Sequence, residues 1–308
     1  MKENTLWCEQ YRPTKIEDLI IPSRIEKIIK GFIKNHDIPS MLFSGSAGCC
    51  KTTTAKAICN TLGADYLFIN ASDETGKADI LNQVSPFATG MSYNTECPKI
   101  VVLDESDRIS GAGLDSLKSY MESYSKNCRF IFTANTPAKI IEPIKSRCLC
   151  LDFAPSVKEK AELMAKFLNR CINILKEKNI DYSPVALQHL IINNFPDYRK
   201  IINTLQSYST GYGKIDEGIV TLVDNSIVNS LVPLLKAKNF NGARKWLYES
   251  SYTEEDVINA LYKGLDSFDK SKIPSIVIVL AEYQYKNAFV ANPQLNLMAC
   301  LTEIMSEC

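Results

Sequence analysis

The residues best suited to chemistry form one run, Gly45-Ser46-Ala47-Gly48-Cys49-Cys50-Lys51-Thr52. It follows an apolar stretch, Met41 to Phe43, that fits a buried strand, and it leads into a helix-like segment from Lys51. The pattern G-x-x-x-x-G-K-[ST] makes a loop in which the first glycine turns the chain sharply and backbone N–H groups point inward at an anion. The lysine and the hydroxyl then reach phosphate and Mg²⁺. Gly45, Lys51 and Thr52 fit this pattern, whereas Cys50 stands where the last glycine belongs. A Cβ at that position is expected to crowd a nucleotide or to tilt the loop.

A second group complements the first. Asp104 and Glu105 close the unbroken run Lys99-Ile-Val-Val-Leu-Asp104, whose β-branched residues suit a central strand buried on both faces. Adjacent acids at a strand end are often only a solvated terminus. Beside an upstream phosphate loop they fit an aspartate that holds Mg²⁺ and a glutamate that orients or deprotonates water. Thr133-Ala-Asn135 ends the next strand-like run and offers a neutral amide, although asparagine is also a common turn former. Ser146-Arg147-Cys148 and Phe195-Pro-Asp-Tyr-Arg199-Lys each carry an arginine, which on its own is ordinarily a solvated surface group.

The elements that must position these groups are legible as alternation. Strand-like runs at Met41–Phe43, Tyr66–Ile69, Ile100–Leu103, Phe130–Thr133 and Leu149–Phe153 are separated mostly by helix-length segments, which predicts a parallel sheet covered on both faces. In such sheets ligands bind outside the carboxyl edge, where Asp104, Glu105 and the loop at 45–52 come together. After Ala154-Pro155 the texture becomes helical, and no further strand is expected. Ser156 with Glu159 makes a capping box, followed by Met164, Phe167, Leu168, Cys171, Ile172 and Leu175 at helical spacing. Ser183-Pro184 opens a helix to about Asn194, and Tyr198 to Tyr208 reads as another. Five more helical patterns follow from about Asp224, one preceded by Thr253-Glu-Glu-Asp256. The expected division is 1–154 for the α/β domain, 155–222 for a small helical lid and 223–308 for a further all-helical domain.

Composition narrows the setting. The 308 residues are 45% apolar, enough for two or three domains with cores of their own. Lys+Arg and Asp+Glu both total 35, so any contact with nucleic acid must come from a local patch. The 11 cysteines show no C-x-x-C spacing and read as reduced thiols, which favours a cytoplasmic protein over a zinc or disulfide framework. No leader and no membrane-spanning run is evident, so a membrane partner is not expected.

In order along the chain, Trp7-Cys-Glu-Gln-Tyr11-Arg12-Pro13, the loop at 45–52, Leu103-Asp-Glu105, Thr133-Ala-Asn135, Ser146-Arg-Cys148 and Pro196-Asp-Tyr-Arg199 resemble the AAA+ ATPases of the sliding-clamp-loader family, most of all the ATPase subunit of tailed-phage clamp loaders. The resemblance implies an α/β P-loop AAA+ domain with a five-stranded parallel sheet, a helical lid and an all-α collar that oligomerises. It implies ATP and Mg²⁺ as ligands. Tyr11, Arg12 and Pro13, with backbone near Leu19 and Ile20, would flank the adenine. Gly45, Ser46, Ala47, Gly48, Cys49, Cys50, Lys51, Thr52 and Thr53 would hold the phosphates. Thr52 and Asp104 would hold the metal, and Glu105 would activate water. Asn135 and Arg199 would sense the γ-phosphate, and Arg147 would reach as an arginine finger into a neighbouring subunit's site. Lys77 and Arg108 would grip the backbone of primer-template DNA, and Phe87, Met91 and Tyr93 stand near the family's clamp-facing helix. Implied partners are other ATPase subunits, a small clamp-loader subunit, the sliding clamp and primer-template DNA. The implied activity is ATP hydrolysis that opens the clamp and places it on DNA during replication. Two alternatives stay open: a nucleotide-binding structural subunit without turnover, favoured by Cys50, and another AAA+ replication motor, disfavoured by Ser146-Arg-Cys148 and the Tyr-Arg-Pro box.

Overall fold

The computed structural model describes residues 6–72, 77–91, 97–250, 252–287, 289–290 and 292–308, with backbone alone described for 77–79 and 220–226. The chain divides into two compact units, Met1–Ile215 and Asp216–Cys308.

The first unit opens with α1 (Trp7–Gln10) and α2 (Ser23–Lys34) and then alternates β1 (Met41–Ser44), α3 (Lys51–Leu62), β2 (Tyr66–Asn70), α4 (Lys77–Thr89), β3 (Lys99–Asp104), α5 (Gly111–Ser123), β4 (Cys128–Ala134), α6 (Glu142–Lys145) and β5 (Leu149–Asp152). The strands pair in parallel in the order β2-β3-β4-β1-β5. Register sets Ser44 opposite Ala134 and Asp152, and Asn70 opposite Asp104, so the carboxyl ends share one edge. The strand order switches sides at β1, with β4 on one flank and β5 on the other, and at such a point a doubly wound sheet leaves a crevice for ligand.

Side-chain alternation explains why both faces are covered. Met41, Phe43, Ile100, Val102 and Ile131 pack with Ile25 and Ile29 of α2 and Ala55, Ile58 and Leu62 of α3. Leu42, Val101, Leu103, Phe130 and Phe132 point the other way, onto Ile80 and Val84 of α4 and Leu114 and Leu117 of α5. Each fully buried side chain of this size contributes roughly 1.5–3 kcal/mol through removal from water.

Three longer helices complete the first unit: α7 (Val157–Glu177), α8 (Pro184–Asn194) and α9 (Tyr198–Tyr212). Ser156 and Glu159 form the expected capping box, Ser183 caps α8 by accepting from the Ala186 N–H, and the Asp197 carboxylate accepts from the Lys200 N–H at the start of α9. The buried stripe of α7 is Leu163, Phe167, Cys171, Ile174 and Leu175, while Met164, Leu168 and Ile172 lie at its edge. One expectation is corrected: two short strands, β6 (Asp181–Tyr182) and β7 (Lys214–Ile215), pair in parallel after residue 154. Two residues per strand are too few to show an alternating pattern in sequence.

The second unit contains α10 (Gly218–Lys236), α11 (Phe240–Glu249), α12 (Glu254–Lys263), α13 (Ile273–Asn287) and α14 (Pro293–Glu307). They close around Leu231, Leu235, Val257, Leu261, Ile276, Leu301 and Ile304. Thr253 and Asp256 cap α12 reciprocally.

Candidate active site

The phosphate loop joins β1 to α3, and its backbone takes conformations that favour glycine. Gly45 has φ 145°, Gly48 has φ 72°, and Cys50 has φ 72° with ψ 13°. The loop therefore bears a side chain at a left-handed position. It keeps the left-handed turn and accepts a strain of about 1–2 kcal/mol for carrying a Cβ there. The Cys50 thiol is half-buried against the edge of the sheet core, lines the cleft and faces the charges of Arg170, Arg12 and Arg199. Burial pushes its pKa up to about 12. Because backbone angles, not the side chain, aim the loop N–H groups, Cys50→Gly should leave ATP affinity within about threefold. Cys50→Val, which resists the left-handed region, should weaken it about tenfold or more, the equivalent of ~1.4 kcal/mol. Titration of both variants with a fluorescent ATP analogue checks this, and a large gain with glycine would show that the thiol obstructs phosphate.

Lys51 is 7% exposed, and its Nζ donates to the carbonyls of Gly45 at 2.8 Å and Ser46 at 2.7 Å and to Oδ1 of Asn135 at 2.8 Å. Thr52, the second residue of α3, lies beside the end of β3, where its Oγ1 donates to Asp104 Oδ1 at 2.6 Å. Thr133, near the end of β4 and 2% exposed, donates to the same carboxylate oxygen at 2.6 Å and accepts from the Glu105 N–H at 3.1 Å. Glu105 sits at φ 53°, and its carboxylate pairs with Arg108 Nε at 2.9 Å. The loop lysine, the strand-end acids and the amide of Asn135 thus meet at one edge, as the strand register requires.

Thr133 was not singled out in sequence. Its signal is a hydroxyl inside an apolar strand, two residues before Asn135, where burial demands a partner.

The remaining wall comes from α1, the segment after it, α7 and α9. Cys8, Tyr11, Arg12, Pro13, Ile20, Phe167, Arg170, Tyr198, Arg199 and Ile202 line, with the loop and the acids, one cleft. Tyr11 donates its hydroxyl to Glu177 at 2.9 Å, and burial together with that carboxylate pushes its pKa up to about 12. Phe167 and Tyr198 pack with ring centroids 4.4 Å apart, and burial raises the Tyr198 pKa. Gly48 lies directly against the start of α9, where an added Cβ would stand 1.9 Å from Asp197 Oδ1.

The other anticipated residues fall as follows. Ala47, Gly48, Cys49, Cys50, Thr52 and Thr53 line the cleft, whereas Gly45 and Ser46 contribute carbonyls to Lys51 without lining it. Arg147 is not in the cleft of its own chain; it bonds the Pro143 carbonyl at 2.8 Å and pairs with Glu122. Phe87 packs partly buried on the core beneath the Lys99 ammonium, whereas Met91 is 98% exposed. Lys77 opens α4 but its side chain, like all of Tyr93, lies outside the described residues. Among the described residues no group of three or more His, Cys, Asp or Glu could hold a metal ion by itself.

A phosphate loop on β1, acids on β3, a polar amide after β4 and a helical lid define a P-loop ATPase of the AAA class. Residues 41–153 match the ATPase family associated with various cellular activities, and residues 159–221 match the AAA+ ATPase lid domain of the sliding-clamp-loader large subunit. The sliding-clamp-loader large subunit of Escherichia phage RB69 is 32% identical over 97% of this chain and 95% of its own. That of Enterobacteria phage T4 is 33% identical with the same coverages, 97% and 95%. The replication factor C small subunit of Sulfolobus acidocaldarius is 31% identical over 99% of this chain and 97% of its own. The RuvB Holliday junction branch migration motor of Thermotoga maritima superposes with TM-score 0.51 at 15% identity over 81% of this chain and 85% of its own, a likeness of fold alone. The chain belongs to the sliding-clamp-loader family of AAA+ ATPases. The expected AAA+ fold, nucleotide binding and ATP hydrolysis follow from that membership.

Proposed function

We propose that this chain is the ATPase subunit of a clamp loader that joins other ATPase subunits and a small partner subunit, opens a sliding clamp with ATP and Mg²⁺, and places it on primer-template DNA. The observation that carries this reading is the meeting of Thr52 Oγ1 and Asp104 Oδ1, 2.6 Å apart, at the edge where Lys51 contacts Asn135 and Glu105 closes β3. A hydroxyl beside one carboxylate suits Mg²⁺, which keeps several waters and takes its other ligands from phosphate. Thr52 and Asp104 would hold the ion, which would supply neutralisation of phosphate charge. Lys51 exchanges loop carbonyls for phosphate oxygens, the loop N–H groups align the chain of phosphates, and Asn135 marks the terminal one. Glu105 takes a proton from water or orients it. Arg199, projecting from the second position of α9, links the terminal phosphate to the lid.

Arg147, outside its own cleft, serves as the finger for the next subunit's site. Residues 1–154, 155–222 and 223–308 act as nucleotide domain, lid and oligomerising collar. Met91, fully exposed after α4, is the better clamp-facing candidate, since Phe87 is occupied in the core. No described helix is long and apolar enough to cross a membrane, and a cytoplasmic place of action fits the reading.

DNA enters through Lys77 and Arg108. Arg108 already holds the Glu105 carboxylate, so a DNA phosphate that attracts Arg108 frees Glu105 for water. DNA should therefore stimulate ATP turnover by the complex assembled with its small subunit and clamp. Arg108→Ala should abolish most of that stimulation and lower the salt slope of DNA affinity by about one. Nucleotide retained without turnover, with DNA present, would instead support a structural subunit. The glycine-like backbone of Cys50 weighs against that second reading.

A further inference from the structure

Arg170, on the cleft-facing side of α7, was not singled out in sequence and is not among the residues given a role above. Its Nη2 donates to the carbonyl of Tyr11 at 2.7 Å and its Nη1 to the carbonyl of Asp18 at 3.0 Å. Those carbonyls bracket the segment that brings Tyr11, Arg12 and Pro13 to the cleft and runs on to Ile20, which also lines it. The guanidinium thus spans both ends of the segment from a helix more than 150 residues away in sequence.

The segment is anchored on its other side by apolar contacts. Ile16, Leu19 and Ile21 are 1%, 6% and 1% exposed and belong to the core beneath α2 and α3. On the lid side, Glu177 accepts from the Tyr11 hydroxyl at 2.9 Å, Lys178 donates to Gln10 at 3.2 Å, and Gln206 of α9 accepts from the Trp7 N–H at 2.8 Å. Residues 7–20 therefore bridge the sheet-side core and the lid. Arg170 lines the same cleft as Phe167, one turn earlier on α7, and Tyr198.

We infer that Arg170 is a positioning residue for the nucleotide base: its two-pronged bond to the Tyr11 and Asp18 carbonyls sets the spacing between lid and segment 11–20, and with it the width of the base pocket. This rests on the nucleotide-binding reading of the cleft. The competing role is purely electrostatic, a cation that draws in phosphate. The two roles differ in what they do to different ligands. A charge acts in proportion to phosphate charge, and a lysine supplies it nearly as well. A tether acts on the base and uses the two nitrogens of the planar fork, one on each carbonyl, a spread that the single nitrogen of a lysine does not match.

The test uses the full-length chain with Arg170→Lys and Arg170→Gln, titrated with ATP, ADP and GTP. The tether predicts that ATP and ADP lose affinity by the same factor, about tenfold, the worth of ~1.4 kcal/mol. GTP should change less, so the preference for adenine narrows, and lysine should not rescue. Hydrogen exchange of residues 11–20 without nucleotide should quicken in both variants, while the unfolding midpoint shifts by only a few degrees. A loss that is larger for ATP than for ADP and is restored by lysine, or unchanged affinities and exchange, would overturn the inference. Failure of the wild-type chain to take up any nucleotide would count against the reading of the cleft, and the exchange measurement would still decide whether Arg170 tethers the segment.

Discussion

Glu105→Gln is expected to cut ATP turnover by about 10²–10⁴-fold while leaving ATP affinity within a few-fold of wild type. The amide keeps the shape and the backbone bond to Thr133, so the left-handed turn at residue 105 survives. What it loses is the ability to accept a proton from water. It also loses the charge that pairs with Arg108 at 2.9 Å. Single-turnover kinetics with pre-bound ATP separates the two effects. A fall in affinity as large as the fall in rate would move Glu105 from the chemistry to the architecture of the loop.

Arg147→Ala is expected to lower turnover of the assembled complex by about 10³-fold or more, the range for an arginine finger supplied by a neighbour. Within its own chain Arg147 is tied to the Pro143 carbonyl and Glu122 on the surface, so its removal should cost a monomer little stability. Mixing an Arg147→Ala subunit with a Lys51→Ala subunit should restore part of the activity, because one type of interface then holds an intact loop and an intact finger. If both variants co-assemble and no activity returns at any mixing ratio, the finger lies elsewhere.

The parallel sheet was legible because each core strand is an apolar run with hydrophobic residues on alternate faces, and β3 and β4 show it best. Some helix starts were legible from a capping side chain, as at Ser156, Ser183 and Thr253, whereas the caps Ser110, Asn239 and Asn292 were not picked out. The phosphate loop and the acids were legible from residue type and spacing. What escaped notice was chemistry carried by common residues through long-range contact. Thr133 looks like one more β-former until its hydroxyl is seen between Asp104 and Glu105. Arg170 looks like a solvated helix cation until its carbonyl partners, far away in sequence, are known. The effect of Cys50 could not be foreseen either, because spacing gives the position of a side chain but not whether the backbone will keep a strained turn beneath it.

Gly48 and Asp197 share a boundary with no room in it: a methyl group on the former would stand 1.9 Å from a carboxylate oxygen and 3.0 Å from the Cα of the latter. The same carboxylate starts α9, the helix that carries Arg199. Loop and lid therefore act at that point like two meshed teeth. The backbone at Gly48 and the start of α9 are neighbours with no side chain of residue 48 between them. A residue larger than glycine at 48 would have to displace Asp197 or wedge loop and helix apart, so the smallness of this residue is what lets the two sit in contact.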